Sequence, residues 1–495
     1  MDSLRLINYR CFDDTGDLDF APINFLVGGN SSGKSSFIKM FPLIKQSIGI
    51  KRNGVFLWYG NEVDFKDFSN IVKEGKTFVE VEFIIKNFCI PQRGLLKSIN
   101  KTDLKVNIRL SQRDKDFDYL ESLTLSFEDQ TIQIFYNPNR SSVKISVNGF
   151  QTENGFDRTI STETNSLLPR LLFINNDEIS DDYPMWCVKT LRNLQSENGF
   201  LQYKRISRSL MLASQKDVVE YVLEQLSINE EKLEVNRIWL NNVYLLLHIN
   251  NIIDGINLNL LQLSTNISYV GPLRATTQRY YRFQNYAVEE IDSDGKNLAM
   301  YLYNLDKDSL NNFQEWTMNL FNFYVEVTTS NGNMELIINE KNREKHNMVD
   351  VGFGYTQILP ILAIIWKTLY RDSVETGYSK KTNRNQFVIA IEQPELHLHP
   401  RIQGLFASML VAVIKEAKEH KQDIRFVIET HSEIIISRIG QLISDNEINN
   451  EDVNVYIFNA AHEGMQNYIE KSFYSKDGQL INWPYGFFSD YVFED

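Results

Sequence analysis

Cysteine is scarce in this chain: three among 495 residues, Cys11, Cys89 and Cys187. No two stand at C-x-x-C spacing, which argues against a zinc hook or a disulfide framework and fits a reducing cytosol. Long apolar runs are missing too. The longest, such as ILPILAIIW at 358–366, are too short to span a bilayer. The opening residues MDSLRLINYRCFDD lack the apolar core of a signal peptide. Basic residues are in deficit, 51 Lys and Arg against 64 Asp and Glu, for a net charge of −13. An acidic chain is a poor indiscriminate DNA binder, because phosphate contacts need Lys and Arg; a local basic stripe leaves nucleic acid possible. There is no internal repeat and no low-complexity tract. The expectation is a soluble, cytoplasmic protein with no membrane partner.

What is present is an ordinary globular composition, 43% apolar and 23% charged, which excludes disorder over most of the chain. The length exceeds one simple core and predicts two or three structural units, or one α/β domain with insertions. SLRLINY and GDLDF alternate, PINFLVG is nearly continuous apolar, and SSFIKMFPLIKQSI has helical spacing with a possible kink at Pro42. From about 76 to 175 a period of two prevails, with Asn-Pro-Asn and Asn-Gly turns, predicting an antiparallel β region. From 176 to 264 the pattern turns helical, as in SQKDVVEYVLEQL, and predicts an inserted helical segment. It is too short and irregular for long coiled-coil arms. After 265 strands and helices alternate again, predicting a mainly parallel, helix-covered sheet built from both ends of the chain. The expected division is 1–75, 76–175, 176–264, 265–445 and a small C-terminal piece, 446–495.

GGNSSGKSS at 28–36 satisfies G-x-x-x-x-G-K-[ST] through Gly28, Gly33, Lys34 and Ser35. The glycines turn backbone N–H groups, including those of Asn30, Ser31, Ser32 and Ser36, toward phosphate oxygens. Lys34 can reach the β- and γ-phosphates, and the Ser35 hydroxyl can ligate Mg²⁺. The following helix offers its N-terminal amides to the anion. A chance glycine–serine loop would lack this strand-then-helix setting.

QFVIAIEQPE ends an apolar run with Glu392, the strand end where α/β sheets place ligands. With the phosphate loop, Glu392 is the expected magnesium-associated acid; alone it would read as a solvated strand end. Gln393 follows where many ATPases carry a second carboxylate, and Glu395 lies two residues on. His431, in THSE after the buried strand IRFVIE, could donate a hydrogen bond to a γ-phosphate. No G-x-S-x-G elbow supports a Ser-His-Asp hydrolase. The histidines 397, 399 and 431 fit zinc only loosely; a polar turn fits them better. In DVGFGYTQILPIL, Gly352 and Gly354 open the backbone before Thr356 and Gln357, either as a capped buried helix or, favoured here, as a second phosphate-binding surface.

In this order, these motifs resemble the ABC-type ATPases of the SMC/RecF/OLD class, over about 1–75 and 265–495. A closer resemblance is to bacterial AAA-family ATPases with a short C-terminal domain of unknown function. NYRCF, VGGNSSGKSS, YVGPLRATTQRYY, DGKNLAMYL, VGFGYTQILP, IEQPELHLHP, ETHSE and INWPYGFF carry it. The wider class includes ATPase subunits of anti-phage systems such as PARIS and Septu. The resemblance implies an α/β ABC-type ATPase head with a mainly parallel sheet, an antiparallel β region and a helical insertion. It implies ATP and Mg²⁺ as cofactors, with Lys34 and Ser35 on phosphate and metal, Glu392 on metal and His431 as switch. Gly352, Gly354 and Thr356 would be the signature that reaches the opposite subunit's nucleotide, in a homodimer or higher homo-oligomer of ATP-sandwiched heads.

The departure is Gln393, which can orient water but cannot serve as a carboxylate base. Glu395, Glu429 or a partner could compensate, and slow, gated hydrolysis is expected. The 62 residues after Glu433 contain no D-x-D, so a separate effector nuclease is the expected partner. The alternative is a DNA-engaging ATPase of the repair type, for which Lys204/Arg205/Arg208 and Arg274/Arg279/Arg282 are the basic candidates. Solvated surface, or internal bracing for the second group, competes with that reading and is favoured.

Overall fold

A computed structural model describes residues 1–50, 52, 54–90, 97–114, 117–138, 142–151, 156–157, 160–161, 166–175, 178–180, 187, 206–226, 237–272, 274, 278–283, 288–330, 332–341, 344–370, 386–460 and 467–484. Lys204 and Arg205, much of 176–205, and the end of the INWPYGFF motif lie outside them. The chain forms two compact units interleaved along the sequence. Among the described residues, one contains those within 1–19 and 43–265; the other contains those within 20–42, 266–370 and 386–484.

In the first unit the period-two segments form the expected antiparallel sheet. Ser3–Tyr9 pairs with Phe78–Phe88, which pairs with Thr102–Asp114, then Phe117–Phe127, Gln130–Tyr136 and Ser142–Val147. Alternation puts Val79, Val81, Phe83 and Ile85 inside while Glu80 stands on the other face. Helices Gln215–Leu226, Arg237–Leu247 and Ile249–Thr265 belong to the same unit.

The second unit carries the phosphate loop, the glycine turn, the acidic strand end and the THSE turn. β1 (Ile23–Gly28) leads into α1 (Lys34–Ile38). The helical segment expected here with a kink at Pro42 breaks at Lys39 and resumes at Met40–Ser47. Pro42 accounts for the break, since its ring clashes with the carbonyl four residues earlier in an unbroken helix. β2 (Ile267–Val270) follows, then α2 (Lys307–Phe321) and the hairpin of β3 (Phe323–Ser330) and β4 (Asn333–Glu340). α3 (Phe353–Tyr370), β5 (Gln386–Glu392), α4 (Pro400–Glu419), β6 (Asp423–Glu429) and α5 (Glu433–Ser444) come next. The 446–495 segment supplies β7 (Val453–Asn459), β8 (Tyr468–Tyr474) and β9 (Leu480–Ile481).

The sheet order is β2-β5-β6-β1-β7-β8-β9. The first five strands run parallel and the last two antiparallel. β1, β5 and β6 read as continuous apolar runs because helices cover a parallel sheet on both faces; β1 and β5 are buried throughout. Parallel strands put their C-terminal ends on one edge, so the loop after β1, Glu392 and Glu429 are gathered there. Ser432 caps α5 by accepting the Ile435 N–H at 3.1 Å. Gly478, at φ 75°, abuts α5 so closely that a Cβ would stand 1.9 Å from the Gly440 carbonyl oxygen. Only glycine meets both demands. No helix among the described residues is long and apolar enough to cross a membrane.

Candidate functional site

The loop after β1 holds conformations that ordinary side chains resist. Gly28 has φ 148°, Ser31 φ 61° and Gly33 φ 101°. A Cβ on Gly28 would lie 2.2 Å from the Phe458 carbonyl oxygen of β7. The Lys34 Nζ donates to the loop's own carbonyls, Gly28 O at 2.9 Å and Gly29 O at 2.7 Å. Burial draws its pKa down, while Glu429 and Glu395 pull it back up. Asn30 and Ser31 are exposed, Ser36 half-buried, and Ser32 is buried with its hydroxyl on the Gly29 carbonyl.

Ser35 Oγ donates to Glu429 Oε1 at 3.0 Å. Glu392 instead accepts the Tyr269 hydroxyl at 2.7 Å. The register of β5 and β6 sets Glu392 directly beside Glu429. Both are nearly sealed from solvent, at 2% and 3% exposure. Burial pushes the Glu392 carboxyl up to about 7 and raises Glu429, with each further raised by the other's proximity or by Glu395's. Glu429 Oε2 is buried without a hydrogen-bond partner.

Glu395 holds the turn after β6. Its Oε2 accepts the Thr430 hydroxyl at 2.8 Å and its Oε1 the His431 N–H at 2.7 Å. His431 is exposed, with its imidazole pKa lowered by partial burial and by Lys34. Gln393 sits at φ 44°, its N–H donating to the Glu429 carbonyl at 2.8 Å. Arg274, buried, donates to the Glu392 carbonyl at 2.9 Å, the Gln393 carbonyl at 3.2 Å and Gln357 Oε1 at 3.4 Å. Arg279 pairs with Asp350. Arg274 is therefore engaged internally, as the bracing reading expects, whereas Arg279 sits in an exposed ion pair.

The structure thus brings Lys34, Ser35, Glu392, Gln393, Glu395 and His431 to one sheet edge. Of the glycine-turn residues, Gln357 reaches that cluster through Arg274, which donates to its Oε1 and to the Glu392 and Gln393 carbonyls. Gly352 is exposed, Gly354 faces the His397 carbonyl and Leu398, and Thr356 and Gln357 are buried in α3. His399 caps α4 by accepting the Arg401 N–H. Sequence reasoning undervalued Glu429, Tyr269 and Arg274. For Glu429 a signal existed, a carboxylate ending a buried strand, but sequence gives no strand order.

The chain's sequence between residues 1 and 436 matches the family model described as an AAA ATPase domain. The chain belongs to that family. Endonuclease GajA of Bacillus cereus (strain HuB5-5) is 22% identical over 445 residues, covering 88% of this chain and 55% of that protein. This AAA-family chain therefore spans about half the length of the curated relative it matches. Among solved structures it aligns with the Smc head domain bound to the C-terminal domain of ScpA from Pyrococcus furiosus, 10% identical, TM-score 0.36, covering 95% of each chain. It also aligns with the SMC head domain from Thermotoga maritima, 10% identical, TM-score 0.33, covering 95% of this chain and 97% of that one.

Proposed function

We propose that this AAA-family protein binds ATP at the loop after β1, hydrolyses it slowly, and works as a switch subunit for a separate effector in anti-phage defence. The observation that carries the nucleotide reading is the buried Lys34 on a glycine-shaped loop, with the Ser35 hydroxyl against a carboxylate at the same strand edge. The defence setting and the effector are supported by likeness to an endonuclease whose length this chain half covers.

The residues present fit Mg²⁺. It commonly takes one or two carboxylates plus substrate phosphates, and here a hydroxyl, two neighbouring carboxylates and an orphaned Glu429 oxygen stand together. When bound, Mg²⁺ would neutralise charge on the β- and γ-phosphates. Ser35 and Glu392 would hold it. Lys34 would exchange loop carbonyls for phosphate oxygens, and the loop amides would orient the phosphates. Gln393 would orient water through hydrogen bonds without accepting its proton. Both Glu395 oxygens already accept hydrogen bonds from the His431 turn, so its better-supported role is to position that turn. With Glu392 and Glu429 taken up by the metal site, Glu395 committed to the His431 turn and an amide at Gln393, hydrolysis is slow until a partner or conformational step supplies a base.

The deciding experiment is nucleotide binding and steady-state hydrolysis with Mg²⁺, against Lys34→Ala. The wild type should bind ATP and turn over slowly, and the variant should lose both. Equal nucleotide affinity in the two proteins would overturn the proposal.

A further inference from the structure

Two carboxylates side by side in a nearly dry strand edge repel each other, and such a pair persists only if a proton or a cation offsets one charge. Glu392 and Glu429 are such a pair, in register on adjacent parallel strands. Their hydrogen-bond partners differ. Glu392 is committed to the Tyr269 hydroxyl, contributed by the neighbouring strand β2. Glu429 spends one oxygen on Ser35, the phosphate-loop hydroxyl, and its other oxygen is buried with no partner. A buried carboxylate oxygen left bare costs free energy unless something fills its place.

We infer that Glu429, the carboxylate on the Ser35 side, is a direct ligand of the divalent cation that accompanies the nucleotide, with Glu392 as the second carboxylate of the same site. This rests on the ATP-binding reading and assigns the metal to a residue outside the E-Q-P-E motif. The strand order carries the assignment: β6 stands between β5 and β1, so the residue at its end is the acid beside the loop. Glu392 is one strand further away. Lys34 and Lys39 are the cations whose fields reach Glu429. Both are monovalent, and Lys34 is occupied with loop carbonyls. Neither donates to the bare oxygen.

The test uses Mn²⁺, counted by the electron paramagnetic resonance signal of the free ion, with a non-hydrolysable ATP analogue present. The analogue's affinity is first measured in EDTA. Glu429→Gln keeps the size and the Ser35 contact and removes the charge. It should take up Mn²⁺ at least about tenfold more weakly than wild type, while metal-free nucleotide affinity is no weaker, since a negative charge facing the phosphates has been removed. Mn²⁺ uptake equal to wild type would overturn the assignment. Glu429→Cys adds a test that a merely structural residue fails. Cd²⁺ prefers sulfur, so it should restore the nucleotide affinity that Mg²⁺ no longer supports in this variant. Loss with both ions would count against direct ligation, and this arm stands if Glu429→Gln fails to fold. A wild type that binds no analogue in EDTA or with metal overturns the ATP reading itself, and that outcome is seen before any variant is compared.

Discussion

At the scale of single residues, the site is decided by which polar atoms are already spoken for. Glu395 has both oxygens engaged and Glu392 holds a tyrosine hydroxyl. Gln393 is an amide at the turn where a base would be useful. Gln393→Glu should therefore raise steady-state ATP turnover by about tenfold or more, since a positioned general base contributes roughly 10²–10⁴. Turnover no faster than wild type would sink the idea that the amide limits hydrolysis. A second residue, His248 in the first unit, shows a different use of burial. Its Nε2 meets the Ile206 carbonyl at 3.0 Å and its Nδ1 meets the Asn251 amide at 3.1 Å, which favours the neutral ring. Burial brings its pKa from 6.5 down to about 4. Below pH 6.5 the unfolded chain takes up a proton there and the folded chain does not. Stability is therefore full above that pH and falls as the pH drops toward 4, by about 3 kcal/mol from this group. Urea unfolding of His248→Gln should lack this part of the acid slope; an unchanged slope would show that other groups carry it.

At the scale of elements, the phosphate loop works because β1 ends against β7. Gly28 pairs in register with Phe458, whose carbonyl would lie 2.2 Å from any Cβ placed there. Gly28→Ala should push the loop off β7 and lower ATP affinity strongly while the rest of the sheet stays folded, as circular dichroism and a nucleotide titration would report. Retained affinity would mean the loop tolerates a shift that its φ of 148° argues against. The G-x-x-x-x-G-K-S spacing was legible from sequence, and so were the buried strands on either side. The partner of Gly28 was not, because Phe458 is 430 residues away and no local pattern encodes strand neighbours. The turn after β6 illustrates the same limit. Ser432 caps the helix that follows, but the clamp on this turn comes from Glu395, on another strand's loop.

At the scale of the whole molecule, the proposed switch requires two heads to close on ATP. Light scattering should show the mass doubling with ATP and Mg²⁺ and returning to the starting value with ADP. Lys34→Ala should not respond to ATP. A mass that ignores nucleotide would remove the sandwich from the proposal while leaving ATP binding intact. Closure worth a few kcal/mol is enough to move such an equilibrium.

The sequence by itself determined the family, the α/β alternation after 265, the antiparallel region and the loop that suits a nucleotide. Each is written in local spacing: period two for strands, continuous apolar runs for buried parallel strands, glycines where the backbone must turn. Tertiary structure decided how distant strand ends meet. Only the order β5-β6-β1 brings Glu429 to the Ser35 hydroxyl and sets Glu392 beside it, because side-chain chemistry depends on neighbours in space and strand order is a property of the assembled sheet.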